Sequence, residues 1–376
     1  MPTVRTSRVL AAVGVGSVVA TLVTAMVPPV EVVAGVPAAA LTHPERGPDP
    51  CDPVISGLTP RQRLAQVLMM GVDPKGPEDA RAAVAEGIGG IFVGGNPTAL
   101  LVDGRLPAVA AGSALPLIVA VDDEGGRVQR VDELDGDLPS ARQMAATMTV
   151  DQVRALARDR AARLTARGVT LDFAPVVDLT AAPDRTVIGD RSFSPDPDTA
   201  IRYAGAFADG LRDGGMLPVL KHFPGHGRAT GDSHGGRVTT PPLDELRGSD
   251  LRPYRELPAR GPVAVMVGHL DVPGLTGDLP ASLDPAVYRL LREDLGFDGL
   301  TFTDDLGAMR AISDRYDLPE AVLRAFAAGA DVPFWSSGGR LPEILTRLEA
   351  AVTAGELPTY RVVDSLRRVL RYKRVC

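Results

Sequence analysis

A single (β/α)8 barrel of the TIM type, in the α/β class, is what this sequence predicts, and three observations carry the prediction. Eight short runs rich in Val, Ile, Leu and Phe alternate with longer stretches of helical period. Those runs are mostly continuous in apolar character, as expected of parallel strands buried on both faces. From Leu58 onward there is no second linker, and roughly 320 residues suit one closed barrel. An open doubly wound sheet is the alternative, but no Gly-x-Gly-x-x-Gly turn follows the first apolar run, which argues against a dinucleotide-binding sheet.

The expected strands are Gln66–Gly71, Gly89–Gly94, Leu117–Val121, Thr170–Pro175, Leu217–Lys221, Val263–Gly268, Gly299–Thr303 and Asp331–Trp335. Pro333 lies within the last of these and is its weak point, because proline removes a ladder donor. Helical stretches fill the intervals. Asp151–Arg167 places Val153, Leu156, Ala157 and Leu164 on one face; Asp198–Asp213, Asp284–Leu295, Pro319–Ala328 and Leu341–Ala354 follow the same logic. A last helix, Thr359–Arg374, is expected to return the chain end to the N-terminal side of the barrel.

The first forty residues are of another kind. Arg5 and Arg8 precede an uncharged run from Val9 to Val30, and Ala38-Ala39-Ala40 follows. That is the layout of an export signal cleaved near Ala40, and the run is also long enough for an uncleaved membrane anchor. A lipoprotein signal fits less well, because Cys51 follows Pro48-Asp49-Pro50 rather than small apolar residues. Residues 41–57 are Pro-rich and polar and read as a linker into a catalytic domain over 58–376. The expected location is therefore outside the cytoplasm, secreted or held at the cell envelope, with membrane contact only through an uncleaved N-terminus. The two cysteines, Cys51 and Cys376, stand at opposite ends of the exported chain, where a disulfide is chemically permitted. A net charge of −7 with scattered charges carries no footprint for nucleic acid.

Polar motifs follow the C-terminal ends of the expected strands, the face on which barrel enzymes carry their chemistry. The third strand leads into Asp122-Asp-Glu124-Gly-Gly-Arg127-Val-Gln-Arg130, and the fourth into a long loop with Ile188-Gly-Asp190-Arg191-Ser-Phe193. The fifth runs into Lys221-His222-Phe-Pro-Gly-His226-Gly, then Asp232-Ser-His234. The sixth ends at Gly268-His269 and the seventh at Thr303-Asp304-Asp305-Leu306. Three of the five histidines of the chain lie in the fifth motif, which holds six ionisable groups in fourteen residues. Pro224, Gly225, Gly227 and Gly231 mark it as loop rather than regular structure.

Four of these five motifs, all but Gly268-His269, resemble in order and strand position the signature of family 3 glycoside hydrolases, in the bacterial single-domain β-N-acetylhexosaminidase branch. The resemblance covers residues 58–355. It implies a retaining exo-glycosidase that releases terminal N-acetylglucosamine, working with a nucleophile on one face of the sugar and an acid/base on the other. By position Asp304 resembles the nucleophile. His234 resembles the acid/base, with Asp232 as its orienting partner, and imidazole titrates near neutrality, as both halves of that task require. Asp122, Arg130, Arg191, Lys221 and His222 match the sugar-binding set. Gly231, Gly235 and Gly236 are plausible pivots of the acid/base loop. Asp304 and Asp305 point to opposite sides of the strand, and parity alone does not say which faces the sugar. The resemblance chooses Asp304, so Asp305 is expected to be structural, as in an ion pair; His226 and His269 are expected to support loops, and Glu124 and Arg127 to pair beneath the pocket.

No cofactor and no metal are expected. His222 and His226 are four apart, but Pro224 and Gly225 forbid the helix on which that spacing would serve zinc. Export together with this resemblance implies cell-wall muropeptide fragments as substrate and a monomer acting alone. Three alternatives remain: a family 3 β-glucosidase, an N-acetylglucosamine phosphorylase in which phosphate takes the place of water, and a non-catalytic cell-wall-binding protein with the same fold.

Overall fold

The structure is a computed structural model that describes residues 49–96 and 98–376. The expected export signal or anchor over 1–40, and most of the linker that follows, lie outside the described residues. Eight parallel strands form one sheet: β1 (Met69–Val72), β2 (Gly90–Val93), β3 (Ile118–Val121), β4 (Leu171–Asp172), β5 (Leu217–Phe223), β6 (Ala264–Val267), β7 (Thr301–Thr303) and β8 (Phe334–Trp335). Each is hydrogen-bonded to its neighbour in sequence, and β8 returns to β1 with Met69 beside Phe334 and Met70 beside Trp335. The last seam is thin. β7 meets the β8 segment through a single parallel bridge, Phe302 to Val332, reinforced by Leu306 N–H donating to the Phe334 carbonyl at 3.0 Å. The result is a nearly closed (β/α)8 barrel.

All eight runs expected as strands contain one, and the departures have local causes. Pro333 cannot donate to a ladder, so β8 begins only after it. β5 runs past its expected end through His222 and Phe223, so the first part of the histidine motif is strand rather than loop. The helix expected over 284–295 divides into an α-helical turn, Pro285–Arg289, and a wider π turn, Leu290–Asp294. Several helices start where their sequences supply a cap: Thr59 with Gln62, Ser140 with Gln143 and Thr149 with Gln152 each form a reciprocal capping box.

Four phenylalanines fill the barrel interior. Phe92, Phe173, Phe302 and Phe334, from four different walls, stack and tilt against one another with ring centroids 5.0–5.7 Å apart. This plug separates the two mouths of the barrel and forms the floor of the upper one.

At the lower, N-terminal end the expected linker needs correction. Residues 52–57 form a helix, Asp52–Gly57, with Ile55 buried against the core, so the domain begins near residue 49 among the described residues. An apolar residue inside a polar stretch is enough to dock it. Arg367 pairs with Asp52 at 2.6 Å, and the structure joins Cys51 to Cys376, with Cα atoms 5.0 Å apart, across a sequence separation of 325. The final helix, Thr359–Tyr372, lies at this end: Tyr372 Oη donates to the Thr170 carbonyl just ahead of β4. Among the described residues no helix is long and apolar enough to cross a membrane.

Candidate active site

A cavity of about 400 Å³ opens at the C-terminal mouth, a size suited to a small polar ligand. Asp122, Arg130, Arg191, Lys221, His222, Asp232, His234 and Asp304 all line it, so the residues expected from four separate motifs meet in one place. Its floor is the apolar plug of Phe92, Phe173 and Phe334.

Lys221 and His222 project from the end of β5. Lys221 Nζ donates to Asp122 Oδ1 at 2.6 Å and lies 2.5 Å from Glu124 Oε1. Burial would lower the lysine, but Asp122 and Glu124 outweigh it and raise the lysine above its usual range, which keeps the amine charged. Arg191 reaches the same Glu124 through two parallel hydrogen bonds, Nε to Oε2 and Nη2 to Oε1, both 2.7 Å. Glu124 is fully buried; burial pushes its carboxyl up, while Arg191 and Lys221 together hold it well below the ordinary carboxylate range. It is therefore a fixed anion that spaces two cations at the cavity wall. Arg130 completes the wall, with Nη2 3.4 Å from Asp122 Oδ2.

The expected pair of Glu124 with Arg127 does not form. Gly125 and Gly126 both take positive φ, 97° and 60°, and this left-handed turn carries Arg127 away from Glu124. Arg127 instead donates to Asp190 Oδ1 at 2.8 Å and to the carbonyls of Thr186, Val187 and Ile188, tying down the loop that delivers Arg191.

Asp304 immediately follows β7 and is only 7% exposed. Its Oδ1 accepts the backbone N–H of Asp305 at 2.9 Å. Burial alone would raise its pKa, but His222, His269, that N–H and Lys221 outweigh it and hold the carboxyl below its ordinary value. The adjacent Asp305 also lines the cavity, but its oxygens are taken up structurally and not by an ion pair: Oδ1 accepts the N–H groups of Gly307 at 2.8 Å and Ser336 at 2.9 Å, and Oδ2 takes the Ser336 hydroxyl. His269 is fully engaged, Nδ1 with Ser282 Oγ and Nε2 with the Asp305 carbonyl, in a supporting role.

Asp232 and His234 form the second chemical unit. Asp232 Oδ1 lies 2.8 Å from His234 Nδ1 and also accepts the His234 N–H at 2.9 Å. Nδ1 is then the donor, which leaves Nε2 as the nitrogen free for proton transfer. Burial raises Asp232, but the two hydrogen bonds and the charge of His234 together outweigh it and leave the carboxyl below its ordinary value, so it stays a carboxylate. The His234 side chain is 60% exposed and so open to solvent.

Two residues absent from the sequence-based set hold these groups in place. Asp178 is fully buried; Oδ2 binds His222 Nδ1 at 2.7 Å and Oδ1 accepts the His226 N–H at 2.7 Å, so one carboxylate fixes both ends of the histidine turn. Its signal in the sequence is only an acidic residue after an apolar run, Val176-Val177-Asp178. Ser233, between Asp232 and His234, is buried; its Oγ contacts Met309 Sδ at 3.5 Å and its carbonyl accepts Ala311 N–H at 3.2 Å. That contact ties the Asp232–His234 loop to the segment after β7, the strand that carries Asp304.

An apolar floor, walls of fixed donors and acceptors, and a carboxylate with an imidazole dyad at one rim suit a sugar ring. Fold and site together define a barrel-type glycoside hydrolase. Comparison with known proteins agrees: the model of the glycosyl hydrolase family 3 N terminal domain matches residues 59–372. The beta-hexosaminidase LpqI of Mycobacterium tuberculosis (strain ATCC 25618 / H37Rv) is 56% identical over 324 residues, covering 84% of this chain and 83% of that protein. A beta-hexosaminidase of Stenotrophomonas maltophilia (strain K279a) is 39% identical over 60% of this chain and 68% of its own length. Among solved structures, a family 3 glycosyl hydrolase from Mycobacterium smegmatis superposes with a TM-score of 0.82 at 54% identity, over 85% of this chain and 98% of the other. A family 3 β-N-acetylglucosaminidase from Paenibacillus gives a TM-score of 0.79 at 32% identity, over 84% and 62%. The chain belongs to glycosyl hydrolase family 3.

Proposed function

We propose that the chain is an exported, retaining exo-β-N-acetylhexosaminidase that releases terminal N-acetylglucosamine from cell-wall muropeptide fragments. One observation supports this most: Asp304 and the Asp232–His234 dyad line the same cavity, together with five residues able to hold sugar hydroxyls. The names of the relatives from Mycobacterium and Stenotrophomonas support the hexosaminidase reading. The layout of the first forty residues supports export.

In the first step Asp304, ionised because its pKa is lowered, attacks the anomeric carbon and forms a glycosyl ester. His234 Nε2 gives its proton to the departing oxygen, and Asp232 stabilises the imidazolium while that proton is held. In the second step the neutral imidazole takes a proton from water, which opens the ester, and the two inversions restore the original anomer. Asp122, Arg130, Arg191, Lys221 and His222 hold the ring, with Glu124 and Asp178 fixing the cations and His222 from behind.

Hydrolysis of purified muropeptides, followed by NMR in phosphate and in non-phosphate buffer, tests the reading. Release of free β-N-acetylglucosamine in both buffers is expected. Formation of N-acetylglucosamine 1-phosphate would make the enzyme a phosphorylase, an α product would exclude retention, and preference for a β-glucoside would exclude the substrate.

A further inference from the structure

The lower mouth of the barrel holds a cavity of about 590 Å³ that the chemistry above does not use. Its apolar wall comes from the starts of the strands, with Pro116, Leu117, Met216, Leu217 and Pro262. Its other wall is cationic: Arg212, Arg371, Lys373 and Arg374, the last three at the end of the final helix. Among the described residues no Asp or Glu lines it, although the whole chain carries a net charge of −7.

The cations around this cavity are short of counter-charge. Asp209 is shared by Arg212 and Arg260, while Arg371 pairs with Asp49, Arg367 having Asp52 as its nearer partner. Arg374 has no side-chain partner among the described residues. Lys373 is buried, and its Nζ donates only to a neutral acceptor, Gln66 Oε1, at 2.7 Å. A buried ammonium facing no anion is costly, and burial pushes this one down to about 7.

We propose that this cavity is a second binding site, for a small oxyanion, phosphate or carboxylate, carried on an apolar body. The anion would sit against Lys373 and Arg374 and supply the counter-charge they lack, while the apolar body would lie on the strand-start wall. The volume exceeds what a bare oxyanion fills, which is why the ligand needs a body.

Calorimetric titration of the full chain with phenyl phosphate, with phenol as the neutral control, tests this. Saturable binding of phenyl phosphate with a Kd of about 1 mM or tighter is expected, and none for phenol. Arg374→Gln, an exposed change that breaks no partner contact, is expected to weaken binding about tenfold and leave hydrolysis unchanged. Lys373→Met is expected to weaken it as well. Asp122→Asn, in the upper cavity, is expected to leave binding as it is. Absence of saturation with phenyl phosphate, equal binding by Arg374→Gln, or loss of binding in Asp122→Asn would each overturn the proposal.

Discussion

Asp304 and Asp331 are both buried aspartates of the β7–β8 region, and their surroundings are opposite. Asp331 stands at the lower end, where every oxygen is occupied. Oδ2 takes Arg292 at 2.6 Å and the Thr301 N–H at 3.0 Å, and Oδ1 takes Arg361 and Arg368 at 3.3 Å and Ser365 Oγ at 3.1 Å. Asp304, at the upper end, makes one hydrogen bond, to its neighbour's N–H, and is held ionised by charges that do not touch it. The saturated carboxylate is a rivet. The unsaturated one lines the upper cavity with a single side-chain hydrogen bond among the described residues. The histidines divide the same way, His269 with both nitrogens bonded and His234 with Nε2 left over.

The contrast is strongest if each aspartate is removed in turn. Asp304→Ala is expected to lower kcat/KM by about four orders of magnitude, equivalent to about 5.5 kcal/mol, with little change in unfolding midpoint; a chromogenic β-N-acetylglucosaminide assay beside a denaturant melt reads both. Asp331→Ala is expected to reverse that pattern, costing about 3–5 kcal/mol of stability because three arginines lose a shared counter-charge.

The pH dependence of the Asp331 effect follows in sign. Burial raises its pKa, but Arg292, Arg368 and Arg361 outweigh it, so the folded value lies below the unfolded value of about 3.9. The stability it contributes is fully present above the unfolded value and disappears as pH falls through the folded one. Urea melts at pH 7 and pH 3 are therefore expected to show the penalty of Asp331→Ala shrinking in acid.

Next in size is the lower end's covalent tie. Reduction and alkylation of Cys51 and Cys376 is expected to cost about 2–4 kcal/mol while leaving kcat of the folded fraction unchanged. Mass spectrometry before and after alkylation reports the bond itself. The smallest effect belongs to the upper rim: Arg127→Ala frees the 186–190 loop and is expected to raise KM about tenfold with a smaller change in kcat, since Arg191 would bind the sugar from a less fixed position.

Much of this contrast could be read before any coordinates. Strands buried on both faces leave continuous apolar runs, so all eight are visible, and polar residues at the end of such a run point at the mouth, as Lys221, His222 and the Asp304–Asp305 pair do; the choice of Asp304 over Asp305 comes from the family resemblance alone. Partner choice was much less legible. Glu124 and Arg127 are three residues apart and seemed a natural pair, but a left-handed Gly-Gly turn separates them, and Arg191, 67 residues away, takes the carboxylate. Asp178 was missed because its importance lies wholly in what packs against it. The docked helix at Asp52–Gly57 was taken for linker because six residues hold too little periodicity to betray it.

The proposed division of labour between the two aspartates requires a covalent bond to form at only one of them. Incubation with a 5-fluoro-N-acetylglucosaminyl fluoride, which slows breakdown of the ester, followed by intact-mass and peptide mass spectrometry, looks for it. One sugar adduct per chain, on the peptide that contains Asp304 and absent in Asp304→Ala, is the predicted result. An adduct on Asp305 or another residue, or turnover with no adduct in either protein, would contradict it.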